Sequence, residues 1–522
     1  MPARTGQDLP VHVSRMPRRW VALAAALVAV GAVAVACTAH SGSRQRPGAA
    51  ASASQSGRAP GSGKRPGTPA RPNIVYVLTD DLSTDLVQYM PHVRALAARG
   101  TSFSNFFVTD SLCCPSRASI LTGDYPHNTR VYYNAGSAGG WDQFERVGDG
   151  RKVYGLNLQA AGYRTGFLGK YLNHYPPHAA PPPGWDEWDV TGSQGYAEFN
   201  FDLNENGHVH HYGHAEHDYL TDVLAGRARR FIATTAAARR PFALEVATFA
   251  PHAPSTPAPI DRGTFPGLRA PRGPAWDRLP TGAPRWLAGY RPLTRKDVAL
   301  IDAQYRRRVE SVQAVDRMIG ALESELSRRG LLDDTYFVFS SDNGYHMGQR
   351  RMLPGKQTAY DTDIKVPLIV AGPGVPAGRT DPTLTSTIDL APTFEQIAGA
   401  HSPYPHDGVS LLNLWHGQAP PADWSRAVLV EHRASSFAGD PDRQSAQSGI
   451  GPSYDAVRTA DYLYVEYVTG DREYYDLRRD PDELHNVFGQ LSPSRVDALH
   501  GLVEALATCR GADCQTRTLA AH

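Results

Sequence analysis

Residues 73–79 read Asn-Ile-Val-Tyr-Val-Leu-Thr, an uncharged run rich in β-branched and aromatic side chains that ends at two aspartates, Asp80 and Asp81. Such a strand has no polar face to turn to water. It has to be covered on both sides, as a central strand of a parallel sheet is. Residues 242–249, 335–341 and 366–371 repeat the pattern. Between them lie helical stretches. Residues 90–98 form one, stopped by Gly100. The other carries Ile301, Tyr305, Val309, Val312, Val315, Ile319, Leu322 and Leu326 at helical spacing and is stopped by Gly330. Strands alternating with helices predict an α/β fold with a large, mainly parallel sheet covered on both faces. Residues 250–295, rich in Pro, Gly and Arg, read as a long surface excursion.

The pattern changes after residue 415. Short strands are expected at 428–431, 456–458, 462–468 and 474–477, followed by a helix over 494–507. This predicts a catalytic domain over 71–415 and a smaller α+β subdomain with an antiparallel sheet over 416–522. The formal net charge is +1, which leaves no electrostatic footprint for a nucleic acid.

The first 70 residues stand outside this pattern. Arg15, Arg18 and Arg19 precede an apolar run over 20–36 that leads to Cys37, the layout of an export signal over 1–37. Ala34-Val35-Ala36-Cys37 resembles the lipobox of bacterial lipoproteins, which would lipidate Cys37. Residues 38–70 are mostly Gly, Ser, Ala, Pro and Arg, too poor in apolar surface to order themselves. As a tether they would span roughly 30 Å. The expected product is exported, either secreted or held at the cell surface, and touches membrane only through its N-terminal anchor. In an exported chain the close pair Cys509 and Cys514 predicts a disulfide.

Asp80-Asp81 follows one predicted strand and Asp342-Asn343 another. Strand ends are where open α/β sheets bind ligands. Three carboxylates and an amide oxygen suit a hard divalent cation, Ca²⁺ or Mg²⁺. Helix capping explains either pair alone, but not both pairs together. The five histidines His208, His210, His211, His214 and His217 lack a regular ligand spacing and read as a hydrated loop rather than a zinc site.

Residues 112–123, Leu-Cys-Cys-Pro-Ser-Arg-Ala-Ser-Ile-Leu-Thr-Gly, contain Cys-x-Pro-Ser-Arg followed by Leu-Thr-Gly. With the two acidic pairs, this segment closely resembles the type I sulfatase family. The resemblance runs on through Gly169-Lys170-Tyr171, Ala250-Pro251-His252, residues 341–346 and 363–367, and into Tyr475-Asp476-Leu477 and Asp480-Pro481. Cys113-Cys114, residues 125–128, Lys170-Tyr171-Leu172-Asn173 and residues 219–223 look most like the N-acetylglucosamine-6-sulfatase branch. The terminal cysteine pair points the same way.

The resemblance implies an alkaline-phosphatase-like α/β sandwich that hydrolyses sulfate monoesters. It implies that a formylglycine-generating enzyme oxidises Cys113 to Cα-formylglycine, whose hydrate attacks sulfur and later releases sulfate by restoring the aldehyde. Asp80, Asp81, Asp342 and Asn343, with the modified Cys113, would hold the cation. Arg117 would orient the diol and metal ligands, and Lys170 and Lys356 would bind the sulfuryl group. His252 or His346 would protonate the leaving oxygen. His127 and Asn128 are further candidates for substrate contact. Many relatives carry a histidine where this chain has Leu172; Asn173 or His174 would substitute for it, or His346 would enter the site from another side. Cys114 reads as a buried packing residue. The implied substrate is a sulfated carbohydrate, foremost a 6-O-sulfated hexosamine of the glycosaminoglycan kind, or an aryl sulfate. The rival readings are a phosphomonoester, phosphonate or phosphodiester hydrolase of the same superfamily, and a non-catalytic lipoprotein that binds sulfated glycans.

Overall fold

The computed structural model describes residues 71–421, 424, 426–434 and 444–515. The expected export signal, the tether and Cys37 lie outside these. Twelve strands precede the small C-terminal sheet: β1 Asn73–Thr79, β2 Thr101–Phe103, β3 Phe106–Phe107, β4 Arg164–Lys170, β5 Glu187–Thr191, β6 Phe201–Glu205, β7 His208–Tyr212, β8 Phe242–Ala247, β9 Thr335–Ser341, β10 Leu368–Ala371, β11 Arg379–Asp381 and β12 Thr385–Ser386. Ten of them form one sheet in the order β11-β2-β10-β9-β1-β8-β4-β5-β6-β7. Its centre, from β9 to β5, is parallel. Towards the margins β10 and β6 turn antiparallel, so the sheet is mixed.

The apolar run of β1 sits in the middle, as its two-sided hydrophobicity requires. Ile74, Tyr76 and Leu78 face one core, and Val75 and Val77 face the other. This period-two alternation is what a strand covered on both faces has to show. The helices that use the two faces include α1 (Pro91–Arg99), α2 (Cys113–Thr122), α3 (Gly140–Val147), α4 (Leu220–Ala238), α5 (Arg295–Arg328) and α6 (Leu390–Ala398). The long α5 starts at a capping box, where the Thr294 hydroxyl accepts the Asp297 N–H at 3.2 Å. A cap of this kind contributes about 1 kcal/mol. The expected stripe from Ile301 to Leu326 is buried, and each large apolar side chain there contributes roughly 1.5–3 kcal/mol.

The C-terminal part is the expected meander. Strands β13 (Val428–His432), β14 (Tyr454–Arg458), β15 (Tyr462–Tyr467) and β16 (Arg472–Asp476) pair antiparallel in sequence order, covered by α7 (Pro493–Ala507). Cys509 and Cys514 form a disulfide. The histidine run differs from expectation. Residues 208–212 form strand β7 of a hairpin with β6, and His210 and His211 pair with Glu205 and Asp202. The segment holds its place through the β6 backbone ladder, which the polar sequence hid. Residues 250–295 are largely irregular, as expected, with short helical turns at Pro259–Asp261 and Arg285–Ala288. Among the described residues no helix is long and apolar enough to cross a membrane.

Candidate active site

Parallel pairing brings the two acidic pairs together. Thr79 stands opposite Ser341 at the ends of β1 and β9, so Asp80-Asp81 and Asp342-Asn343 leave the sheet side by side. The Asp81 N–H donates to Asp342 Oδ1 at 3.1 Å, and Asn343 Nδ2 donates to Asp81 Oδ1 at 2.6 Å. Asp81 has φ +62°, a left-handed conformation that costs energy for a residue with a Cβ. Its carbonyl is held by the wholly buried Arg308 of α5. The helix-cap explanation therefore fails for this pair, because both carboxylates point into a buried cluster.

Cys113 is the first residue of α2, a helix buried along its whole length. A helix N-terminus favours negative charge at that spot. Arg117, one turn on, shares its face. Its Nε donates to Asp342 Oδ2 at 2.7 Å and its Nη1 to the Lys170 carbonyl at 2.7 Å. The helix is pinned further by Ser116 Oγ on the Asp342 carbonyl at 2.5 Å and by the Cys114 N–H on Asn134 Oδ1 at 2.9 Å. Cys114 itself turns into the core, where burial pushes its thiol up to about 12.

Cations converge on the same point. Lys356 Nζ lies 2.8 Å from Cys113 Sγ and 2.7 Å from Asp81 Oδ1. Cys113 Sγ is also 3.3 Å from Asp80 Oδ1. Lys170 at the end of β4 pairs with Asp80. The preceding Gly169 has φ +97°, and a Cβ there would come within 1.9 Å of the Ala247 carbonyl oxygen, so only glycine lets β4 deliver the lysine. His252 Nε2 lies 3.6 Å from Asp81 Oδ2, while its Nδ1 donates to the Ala253 carbonyl at 2.7 Å.

The electrostatics follow from this packing. Burial alone would raise the Asp80 carboxyl, but Lys170, His252, Arg117 and Lys356 outweigh it and hold Asp80 well below the usual carboxylate range. Asp342 is pushed up to about 6 by burial and by the charge of Asp80, against the pull of Arg117. Burial opposes the charge on Lys170, but Asp80 restores it and lifts the ammonium well above its ordinary value. Asp80, Asp81, Asp342, Lys170, Lys356 and Arg117 are all buried, and each carboxylate pairs with a cation: Asp80 with Lys170, Asp81 with Lys356 and Asp342 with Arg117.

The donor set fits a hard divalent cation. Ligand atoms of Asp80, Asp81, Cys113 and His252 lie within 4.8 Å of one another. Asn343 Oδ1, beside them, is buried without a hydrogen-bond partner. A buried amide oxygen left without a donor is costly unless something else satisfies it. Carboxylate and amide oxygens are the ligands Ca²⁺ and Mg²⁺ prefer.

The remaining expected residues lie elsewhere. His346 Nδ1 is bound to both Asp363 oxygens at 2.9 and 3.0 Å, and its backbone pairs with Gly355. Its ring turns towards Gly355 and Gly449, behind the Lys356 loop. His127 contacts Glu431 and the Cys509 carbonyl, and Asn128 contacts Asp407, the same carbonyl and Arg510. Both are thus joined to the C-terminal segment. Leu172 is buried in the core, Asn173 is buried behind Tyr196, and His174 is exposed. Two contributors were missed in the sequence. One is Arg308, whose signal was a charge on the buried stripe of α5. The other is Tyr196, whose ring packs tilted against His252 at a centroid distance of 4.4 Å and which carries no motif.

A sulfatase family model matches residues 72–400, and a model of the C-terminal region of N-sulphoglucosamine sulphohydrolase matches 352–509. The chain belongs to the sulfatase family. This sulfatase is similar to human N-acetylglucosamine-6-sulfatase, at 34% identity over 482 residues that cover 85% of this chain and 86% of the human one. A solved structure in complex with its substrate D-glucosamine-2-N,6-O-disulfate matches with TM-score 0.70 and 25% identity, covering 83% of this sulfatase and 97% of that chain. The phosphonate monoester hydrolase of Agrobacterium radiobacter shares the fold, with TM-score 0.62 and 22% identity over 84% of this sulfatase and 95% of that chain.

Proposed function

We propose that this sulfatase hydrolyses sulfate monoesters of carbohydrates, foremost 6-O-sulfated N-acetylglucosamine of glycosaminoglycan type, with a nucleophile made from Cys113. Formylglycine at this position would supply a hydrated aldehyde as the oxygen nucleophile towards sulfur. A divalent cation held by Asp80, Asp81, Asp342 and Asn343 supplies positive charge beside it. The observation that carries the reading is Cys113 Sγ, which marks the place of those oxygens: it sits at a helix N-terminus, against Lys356 at 2.8 Å and Asp80 at 3.3 Å.

The chain's own groups have distinct tasks. Lys170 and Lys356 flank the nucleophile and neutralise the sulfuryl oxygens as charge builds on them. Arg117 holds Asp342 and the Lys170 backbone together, and so keeps the acidic loop and β4 in register with α2. His252 serves the alcohol. Its Nδ1 proton is committed to the Ala253 carbonyl, so only the imidazolium form can donate from Nε2. Asp81 Oδ2 lies 3.6 Å from that Nε2. His346, tied to Asp363 and turned towards Gly355, is the weaker candidate for the acid. The export signal and Cys37 make the product a secreted or surface-tethered enzyme that depends on formylglycine-generating machinery in its host.

Mass spectrometry of the peptide spanning Cys113, from the native host, tests the nucleophile: the formylglycine mass is expected, and two intact thiols would remove it. Turnover of glucosamine 6-sulfate against an aryl phosphate tests the ester class. Faster phosphate cleavage would transfer the chain to the phosphoesterase reading. Inactive protein with formylglycine shown in place would support the glycan-binding reading instead.

A further inference from the structure

Lys170, Phe249, Asn173 and His252 are 2%, 3%, 4% and 6% exposed. Tyr196, on the helical turn Ser193–Ala197, is the half-buried side chain packed against them. Its ring centroid lies 4.4 Å from that of His252 and 4.9 Å from Lys170 Nζ. Phe249 meets the ring edge-on at 5.1 Å. The Tyr196 hydroxyl accepts Asn173 Nδ2 at 3.1 Å. Asn173 Oδ1 is buried with no hydrogen-bond partner, which leaves an acceptor for a ligand donor beside the same ring.

These contacts assign a direction to the site. Sulfur has to lie between the nucleophile and the leaving oxygen, and the leaving oxygen has to reach His252. The alcohol therefore emerges on the His252 side, where Tyr196 is the outermost side chain of the group. We propose that Tyr196 determines specificity for the leaving alcohol, its ring forming the platform for the apolar face of a sugar, and that Asn173 is the positioning residue that sets this ring. The inference rests on the reading of His252 as the group on the alcohol side. The aromatic face carries negative quadrupole charge, and the C–H face of a pyranose is weakly positive, so the two stack without a directional bond. Lys170 against the ring and Asn173 on its hydroxyl fix its tilt at little further entropy cost.

Glucosamine 6-sulfate and inorganic sulfate share the sulfuryl group and differ in the alcohol. Binding of each to the Cys113→Ala chain, which cannot turn over, is measured by calorimetry in calcium buffer. Tyr196→Ala is expected to weaken the sugar ester at least about tenfold and to change sulfate less than about twofold. Tyr196→Phe is expected to stay within about threefold for both, because the ring is retained. If the alanine variant melts early, Tyr196→Leu repeats the comparison with the volume kept. Equal weakening of both ligands would reduce Tyr196 to a support for Lys170 and His252. Weakening of neither would remove it from the alcohol side. Failure of the unsubstituted Cys113→Ala chain to bind the sugar ester would overturn the proposed sugar-sulfate substrate, and this inference with it.

Discussion

At the scale of single residues, the site is a set of buried charges that tolerate one another only in this geometry. Arg117 shows it best. Its guanidinium reaches Asp342 and the Lys170 carbonyl at once, which the single ammonium of a lysine cannot do. Arg117→Lys is expected to lower kcat/KM roughly 10- to 100-fold while the chain stays folded, as read by steady-state kinetics beside a thermal melt. Glu198 is a buried acid of another kind. Burial raises it from the ordinary carboxylate range to about 8, against the two hydrogen bonds from Thr221. Its folded value lies above its unfolded one, so the folded chain holds the proton more tightly. The associated stability is present below the unfolded value and is lost as pH rises through the folded one. Glu198→Gln removes this dependence. The melting temperature of the variant relative to the natural chain should therefore climb between about pH 5 and about pH 8. A constant difference would refute the assignment.

At the scale of elements, the ends of β1 and β9 carry the acidic pairs, β4 carries Lys170 and α2 carries Cys113, each fixed by its own core face. Helix α5 is the largest single support, since Arg308 holds the Asp81 carbonyl from its buried stripe. Leu322, fully buried on that stripe, is expected to cost about 2–5 kcal/mol when replaced by alanine. Denaturant unfolding would read this loss, and activity at low denaturant should survive because Leu322 lies two turns or more beyond Arg308. Element packing also accounts for three residues that lie away from Cys113. His127 and Asn128 lie within 15 positions of Cys113, but the ten residues of α2 span roughly 15 Å and carry the chain away to the C-terminal segment. His346 lies within four positions of Asp342, but its pairing with Gly355 and Asp363 turns it behind the Lys356 loop.

At the scale of the molecule, the parallel centre of a ten-stranded sheet gathers residues from position 80 to position 356 at one edge. Each of the three carboxylates there is paired with a cation of the chain. Exhaustive chelation is expected to lower turnover at least about a hundredfold and also to lower the melting temperature, with calcium restoring both. Retention of both quantities after chelation would exclude the cation from the site.

Local sequence determined much of this protein. The unbroken apolar run of β1 demanded a sheet covered on both faces, the spacing on α5 demanded one buried stripe, and the motif from Leu112 to Gly123 singled out Cys113. These signals are short-range, and the hydrophobic effect reads them directly from residue order. The rest depends on which distant segments meet. Lys356 was placed on Cys113, His346 was turned away, and Tyr196 was laid across His252 by loops that carry no periodic pattern. Their positions follow from the backbone paths between packed elements, and those paths exist only once the sheet has closed its neighbours together.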